Sequence, residues 1–205
     1  MIPIPPAGLR ERKDAEVKRA FYEAAMELFR EKGFTATSAD EIAARAGYSR
    51  ATFFNHFGTK KGVFRYYGEL LSQDIEPLLA GIDTTLSPLE RVREILFSMA
   101  READTRREEL KVVFLHSSSD PDYLAGPTSA RQRIGNVVRE LVTEAQHQGE
   151  VRSDMSAEAL AFHILSLYHG AVVALVWDLS DAESSMESAW HFLQTGVGSE
   201  RPTTR

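Results

Sequence analysis

With 205 residues, 43% of them hydrophobic and 26% charged, the chain has enough apolar side chains for a buried core, which excludes global disorder. It has no cysteine, so disulfides, thiolate nucleophiles and cysteine-ligated metals are excluded, and a reducing cytoplasm is compatible. The formal net charge of −6 is unevenly spread: the first 65 residues carry 12 Lys and Arg against 8 Asp and Glu, the remainder 12 against 22. A basic head on an acidic body suits a protein that touches phosphate with one end only.

Residues 1–13 hold three prolines, one glycine and the cations Arg10, Arg12 and Lys13. They read as a disordered arm, either solvated or reaching a phosphate or minor groove, and have no apolar run of the secretory kind. A helix is expected over 14–32, with Val17, Phe21, Ala24, Ala25, Leu28 and Phe29 at helical spacing and Gly33 as its stop. Thr37 reads as the N-cap of a short helix, with Asp40 in the acidic place three residues on. Ile42, Ala43 and Ala46 give that helix an apolar face, and Gly47 ends it in a left-handed turn. Ser49 caps a second short helix, whose apolar residues are Phe53, Phe54 and Phe57. Two short helices across a tight glycine turn are the layout of a helix-turn-helix, in which the second helix enters the DNA major groove.

The stretch IAARAGYSRATFFNHFGTKKGVF (42–64) resembles the N-terminal signature of the TetR family of one-component transcriptional regulators. Phe54 departs from it, standing where the family usually has Tyr; Phe cannot donate to a phosphate, so weaker positioning on DNA is expected. The start of the second helix, Tyr48, Ser49, Arg50, Ala51 and Thr52, is the end that reaches base edges in this motif. Arg50 suits guanine O6 and N7, or a phosphate, and Thr52 a thymine methyl or a phosphate. Asn55 and His56 follow one turn on. The resemblance implies a phosphate role for His56 and for Lys60, and Thr37 with Ser38 offers hydroxyls and backbone N–H groups at a helix N-terminus.

Downstream, a helix is expected over 61–80, interrupted by Pro77. In the resembled family this helix links head to body, and its tilt transmits ligand occupancy. Pro88 opens another helix after Ser87, and a further one spans about 107–116. Residues 117–127, SSSDPDYLAGP, read as a turn-rich break. A long helix follows from about 128 to 148. Residues 156–178 are the most apolar, capped by Ser156; His163, Ser166 and His169 interrupt them, and burial against a partner subunit is preferred over a membrane span. A last helix covers 182–196. The resemblance implies a homodimer built on the last two helices. Tyr67, Phe97, Phe114, His116, Phe162, His163 and Tyr168 are candidate ligand contacts, with core packing the plainer fate of most.

No G-x-S-x-G, P-loop or H-E-x-x-H occurs, so neither an enzyme, a cofactor nor a metal is expected. The expected fold is all-α: an arm and DNA-binding domain over 1–61, a helical ligand-binding and dimerisation domain over 62–198, and a disordered tail over 199–205. The expected function is a cytoplasmic transcriptional regulator, a repressor released from a palindromic DNA operator by a small, mostly apolar effector. A regulator without an inducer, or an activator, remains the alternative.

Overall fold

A computed structural model describes residues 8–117 and 130–197. The described residues are helical, without a β-strand among them. They divide into two compact units, one of residues 8–70 with 112–117, the other of 71–111 with 130–197. The break at 117–127 and the tail at 199–205, apart from Ser117, lie outside the described residues.

The first unit starts with α1, Leu9–Lys32. It begins earlier than its apolar spacing suggests, since the Glu11 carboxylate accepts from the Gly8 N–H at 2.9 Å and so caps the first turn. Residues 9–13 are therefore helix rather than arm, and 1–7 lie outside the described residues. Phe21, Ala24, Ala25, Leu28 and Phe29 form the buried face of α1. Helix α2, Ala39–Ala46, is capped by Ser38 and not by Thr37. Ser38 Oγ accepts from Glu41 N at 3.2 Å, and the Glu41 carboxylate accepts from Ser38 N at 2.9 Å, a reciprocal pair that Thr37 and Asp40 do not make. Gly47 ends α2 at φ 77°, ψ 23°, the left-handed region where a glycine is least strained. Helix α3, Arg50–Phe57, is capped by Ser49, whose Oγ accepts from Thr52 N at 3.1 Å.

Helix α4, Gly62–Ala80, contributes residues to both units. It runs past Pro77, which removes one intrahelical donor without ending the helix; Gly81 N still donates to Pro77 O at 3.1 Å.

In the second unit, α5 (Pro88–Thr105) packs on α7 (Ala130–His147), α8 (Ala157–Val176) and α9 (Ala182–Val197). The intervening α6, Arg107–Ser117, again spans the division. Val92, Ile95, Leu96 and Ala100 of α5 meet a core that includes Val138, Val142, Ile164, Leu175 and Met186, all at most 1% exposed. Carboxylates from elsewhere in the unit finish the helix ends. Glu150 accepts from Leu89 N at 3.2 Å and the Ser87 hydroxyl at 3.1 Å. Asp104 accepts from Ala182 N at 2.9 Å and Glu183 N at 3.1 Å, capping α9 from α5. By length and composition α8 is apolar enough to cross a membrane, yet Leu160, Ala161, Ile164, Ala171, Val172, Leu175 and Val176 are buried within this unit.

Candidate DNA-binding surface

The position of α3 follows from two of its phenylalanines. Phe53 and Phe57 are one turn apart, so they share a face, and both turn inward to meet Phe21 edge-on at centroid distances of 5.4 and 5.9 Å. That leaves Arg50, Ala51, Phe54 and Asn55 on the exposed side. Tyr48 stands just before the helix, 40% exposed, with its ring 5.2 Å from that of Phe21. Ser49 is exposed and Thr52 half-buried, their hydroxyl oxygens 2.8 Å apart. Ser38 is exposed at the start of α2.

Three residues expected on phosphate face the protein instead. Thr37 is 3% exposed, and its hydroxyl donates into the carbonyls of Gly33 at 2.9 Å and Leu28 at 3.3 Å, tying the α1–α2 turn to the end of α1. His56 lies beside Phe57 at the edge of the inward face; its side chain is 18% exposed, and Nδ1 is 3.3 Å from the Asp14 carboxylate. Lys60 sits in the turn before α4, where its ammonium donates to Phe34 O at 2.5 Å and Thr37 O at 2.7 Å, above the Phe34 ring. Its burial pushes the ammonium pKa down. These three side chains build the head that carries the surface.

The surface is braced through α2. Arg45 bonds both Glu31 oxygens at 3.0 Å and Glu27 at 3.2 Å, and Lys32 pairs with Glu41, so both ends of α2 are fastened to α1. Lys32, followed by the Ser38 N–H and hydroxyl, holds the Glu41 carboxyl down to about 2. On the exposed side, Arg50 Nη1 donates to Asp40 Oδ2 at 2.8 Å, and its guanidinium carbon lies 5.3 Å from the centre of the Phe54 ring. Asp40 was legible only as a capping residue; its signal as a partner of Arg50 is that both open their helices, on either side of the glycine turn. Phe54, 37% exposed, gives the guanidinium a flat neighbour at the position where the resembled family usually has tyrosine.

The candidate ligand residues are divided between the two units. Tyr67, Phe114 and His116 belong to the first unit, Phe97, Phe162, His163 and Tyr168 to the second. Tyr67 is 1% exposed and stacked on Tyr22; His116 stacks on Phe34 at 4.7 Å, its pKa lowered by burial and then by Lys60. Phe97 is buried under the Arg93 guanidinium at 4.1 Å. Phe114 and Tyr168 are half-buried. Phe162, 68% exposed, and its neighbour His163 lie on the outer side of α8, away from Leu160, Ala161 and Ile164. Both are exposed in the single chain.

Residues 21–67, the stretch that contains α2, the glycine turn and α3, match the family described as bacterial regulatory proteins, tetR family. This match and the likenesses that follow support assignment to the TetR family. Among its relatives, the chain is 24% identical over 152 residues to the HTH-type transcriptional regulator UidR of Escherichia coli (strain K12), covering 73% of this chain and 76% of UidR. It is 21% identical to the HTH-type transcriptional repressor DhaR of Mycobacterium sp. (strain GP1), over 78% of this chain and 82% of DhaR. Among solved structures, Thermus thermophilus FadR, a TetR-family transcriptional repressor in complex with lauroyl-CoA, is 26% identical with a TM-score of 0.62, covering 92% of this chain and 99% of that one. Bacillus subtilis FadR in complex with stearoyl-CoA shares the fold at a TM-score of 0.73 and 18% identity, over 87% and 98% of the two chains. The TetR-family chain described here is thus a transcriptional regulator with an N-terminal helix-turn-helix and a C-terminal helical region.

Proposed function

We propose that this regulator is a cytoplasmic repressor that binds a near-palindromic operator as a homodimer, with α3 of each subunit in the major groove. The observation that carries the reading is the face of α3: Arg50, Ala51, Phe54 and Asn55 are exposed together on a helix anchored from behind by Phe53 and Phe57. A helix anchored in this way that offers an arginine, an alanine, an aromatic ring and an amide to solvent is built to read base edges. Phosphate contact falls to the exposed groups that remain, Ser38, Tyr48, Ser49 and the Lys61 ammonium, instead of the three inward-facing side chains.

The dimer reading is supported by apolar side chains left exposed near the last two helices: Phe162 on α8, Trp177 and Leu179 just after it, and Phe192 on α9. A second copy that covers them removes their apolar area from water, worth roughly 25 cal/mol per Å² before association costs. Release by a small, mostly apolar effector is supported by the relatives, since Thermus thermophilus FadR is a repressor in complex with lauroyl-CoA. Long-chain acyl thioesters are therefore the first effector class to test. Such a ligand lowers operator affinity only by its preference for the conformation that does not bind DNA.

The test is recovery of operator from fragmented genomic DNA of the source organism, at two salt concentrations, with and without acyl-CoA. Recovery of one palindromic site that acyl-CoA abolishes supports the full reading. Recovery that no acyl-CoA alters supports the regulator without that effector class. Sequence-independent recovery overturns the operator reading.

A further inference from the structure

The Asp40–Arg50 pair is unusual for a surface that meets DNA, because a carboxylate there repels phosphate whatever the base sequence. Its geometry supplies a reason to keep it. Asp40 lies in the first turn of α2, a helix fixed to α1 by the Arg45 pairs with Glu27 and Glu31 and by Lys32 with Glu41. Its backbone is thereby fixed, and Arg50 Nη1 donates to its carboxylate at 2.8 Å. On the same exposed side of α3, one turn on, the Phe54 ring lies 5.3 Å from the guanidinium carbon. A planar cation held at one nitrogen and against a ring has few remaining orientations. One N–H is spent on Asp40, and four of the five guanidinium N–H donors remain, of which a guanine takes two, at O6 and N7.

We propose that Asp40 and Phe54 are positioning residues that hold Arg50 to read one guanine in each half-site. This rests on the reading of α3 as the recognition helix. Asp40 trades some affinity for all DNA against discrimination at one base pair. Phe54, in the place of the phosphate-donating tyrosine, supplies a flat support for the arginine instead of a second anchor on the backbone.

The experiment is selection from a pool of operators randomised in the half-site, by full-length protein, with affinity for random duplex DNA measured in parallel. The proteins are the wild type, Arg50→Ala, Asp40→Ala, Asp40→Glu, Phe54→Leu and the double variant D40A/R50A, each checked by thermal unfolding. The expected result is that Asp40→Ala, which removes the acceptor as well as the charge, binds random DNA more tightly yet loses about tenfold of the guanine preference at one position, other positions being unchanged. Asp40→Glu keeps the charge but changes the reach, so it loses part of the same preference, as does Phe54→Leu. In the Arg50→Ala background, Asp40→Ala changes only overall affinity. A uniform rise in affinity on Asp40→Ala with the guanine preference intact overturns the proposal and leaves Asp40 as a charge alone. If Arg50→Ala itself leaves every preference intact while the wild type still selects a site, Arg50 is not the base reader and the proposal falls with that assignment. If the wild type selects no site, the recognition-helix reading itself has failed.

Discussion

A β-carbon placed on Gly62 would lie 2.0 Å from the carbonyl oxygen of Phe57. The first turn of α4 passes so close to the end of α3 that only a hydrogen fits between them. Because the obstacle is backbone, no rotamer change relieves it. Gly62→Ala is expected to destabilise the protein by about 1–3 kcal/mol through forced separation of the two helices. Urea unfolding followed by far-UV circular dichroism measures this; an unchanged midpoint would mean that the α3–α4 turn relaxes freely.

Lys60 makes a second structural prediction. Its ammonium serves the carbonyls of Phe34 and Thr37, so Lys60→Met strands acceptors in a half-buried turn and should cost about 1–3 kcal/mol. The salt dependence of DNA binding should stay as in the wild type. A salt slope that flattens by about one, with stability unaltered, would return Lys60 to the phosphate contacts.

Acid sensitivity should trace to Glu41. Its carboxyl is held down to about 2 in the folded chain by Lys32 and Ser38, below the ordinary value of 4.5. The unfolded state therefore binds the proton first, and the stabilisation, complete above the ordinary value, is lost as pH falls from about 5 towards 2. Glu41→Gln keeps an amide able to close the capping box but removes the charge. Its unfolding midpoint should depend less on pH than that of the wild type between about pH 5 and pH 3. Parallel pH curves for the two proteins would contradict the assignment.

The exposed apolar residues near the end of the chain give a prediction about assembly. Replacing Phe192 by Arg, or Phe162 by Arg, places a charge where the proposed second copy packs. Either change should weaken the dimer at least tenfold, about 1.4 kcal/mol or more. Sedimentation over a concentration series reads this directly. A wild type that sediments as a monomer throughout, or variants that assemble like it, would contradict the proposed dimer surface.

Local signals carried most of the architecture. Gly47 at its left-handed angles, Ser49 as a cap and Phe53 with Phe57 as core were all legible, because each depends on neighbours within one turn. The cap of α2 was legible in principle: Ser38 and Glu41 form the better capping pair, one residue beyond the Thr37 and Asp40 first read. The fates of His56 and Lys60 were not legible, because they are decided by Asp14 and Phe34, partners distant in sequence that packing brings near, while Thr37 turns back on the Gly33 carbonyl four residues earlier and on that of Leu28. The Asp40–Arg50 pair is hidden in the same way, since it bridges two helices across the turn. The exposure of Phe162 and His163 was not legible either, because α8 is apolar almost all round and periodicity cannot rank the sides of such a helix.

The most direct test of the central claim, that the exposed face of α3 reads DNA sequence, is a comparison of wild type and Arg50→Ala on the recovered operator and on every single-base variant of one half-site. The account predicts that the wild type discriminates at a guanine by about tenfold or more and that Arg50→Ala loses this at that position alone. Equal loss of affinity on all variants, with the order of preference preserved, would place Arg50 on the phosphate backbone and contradict the account.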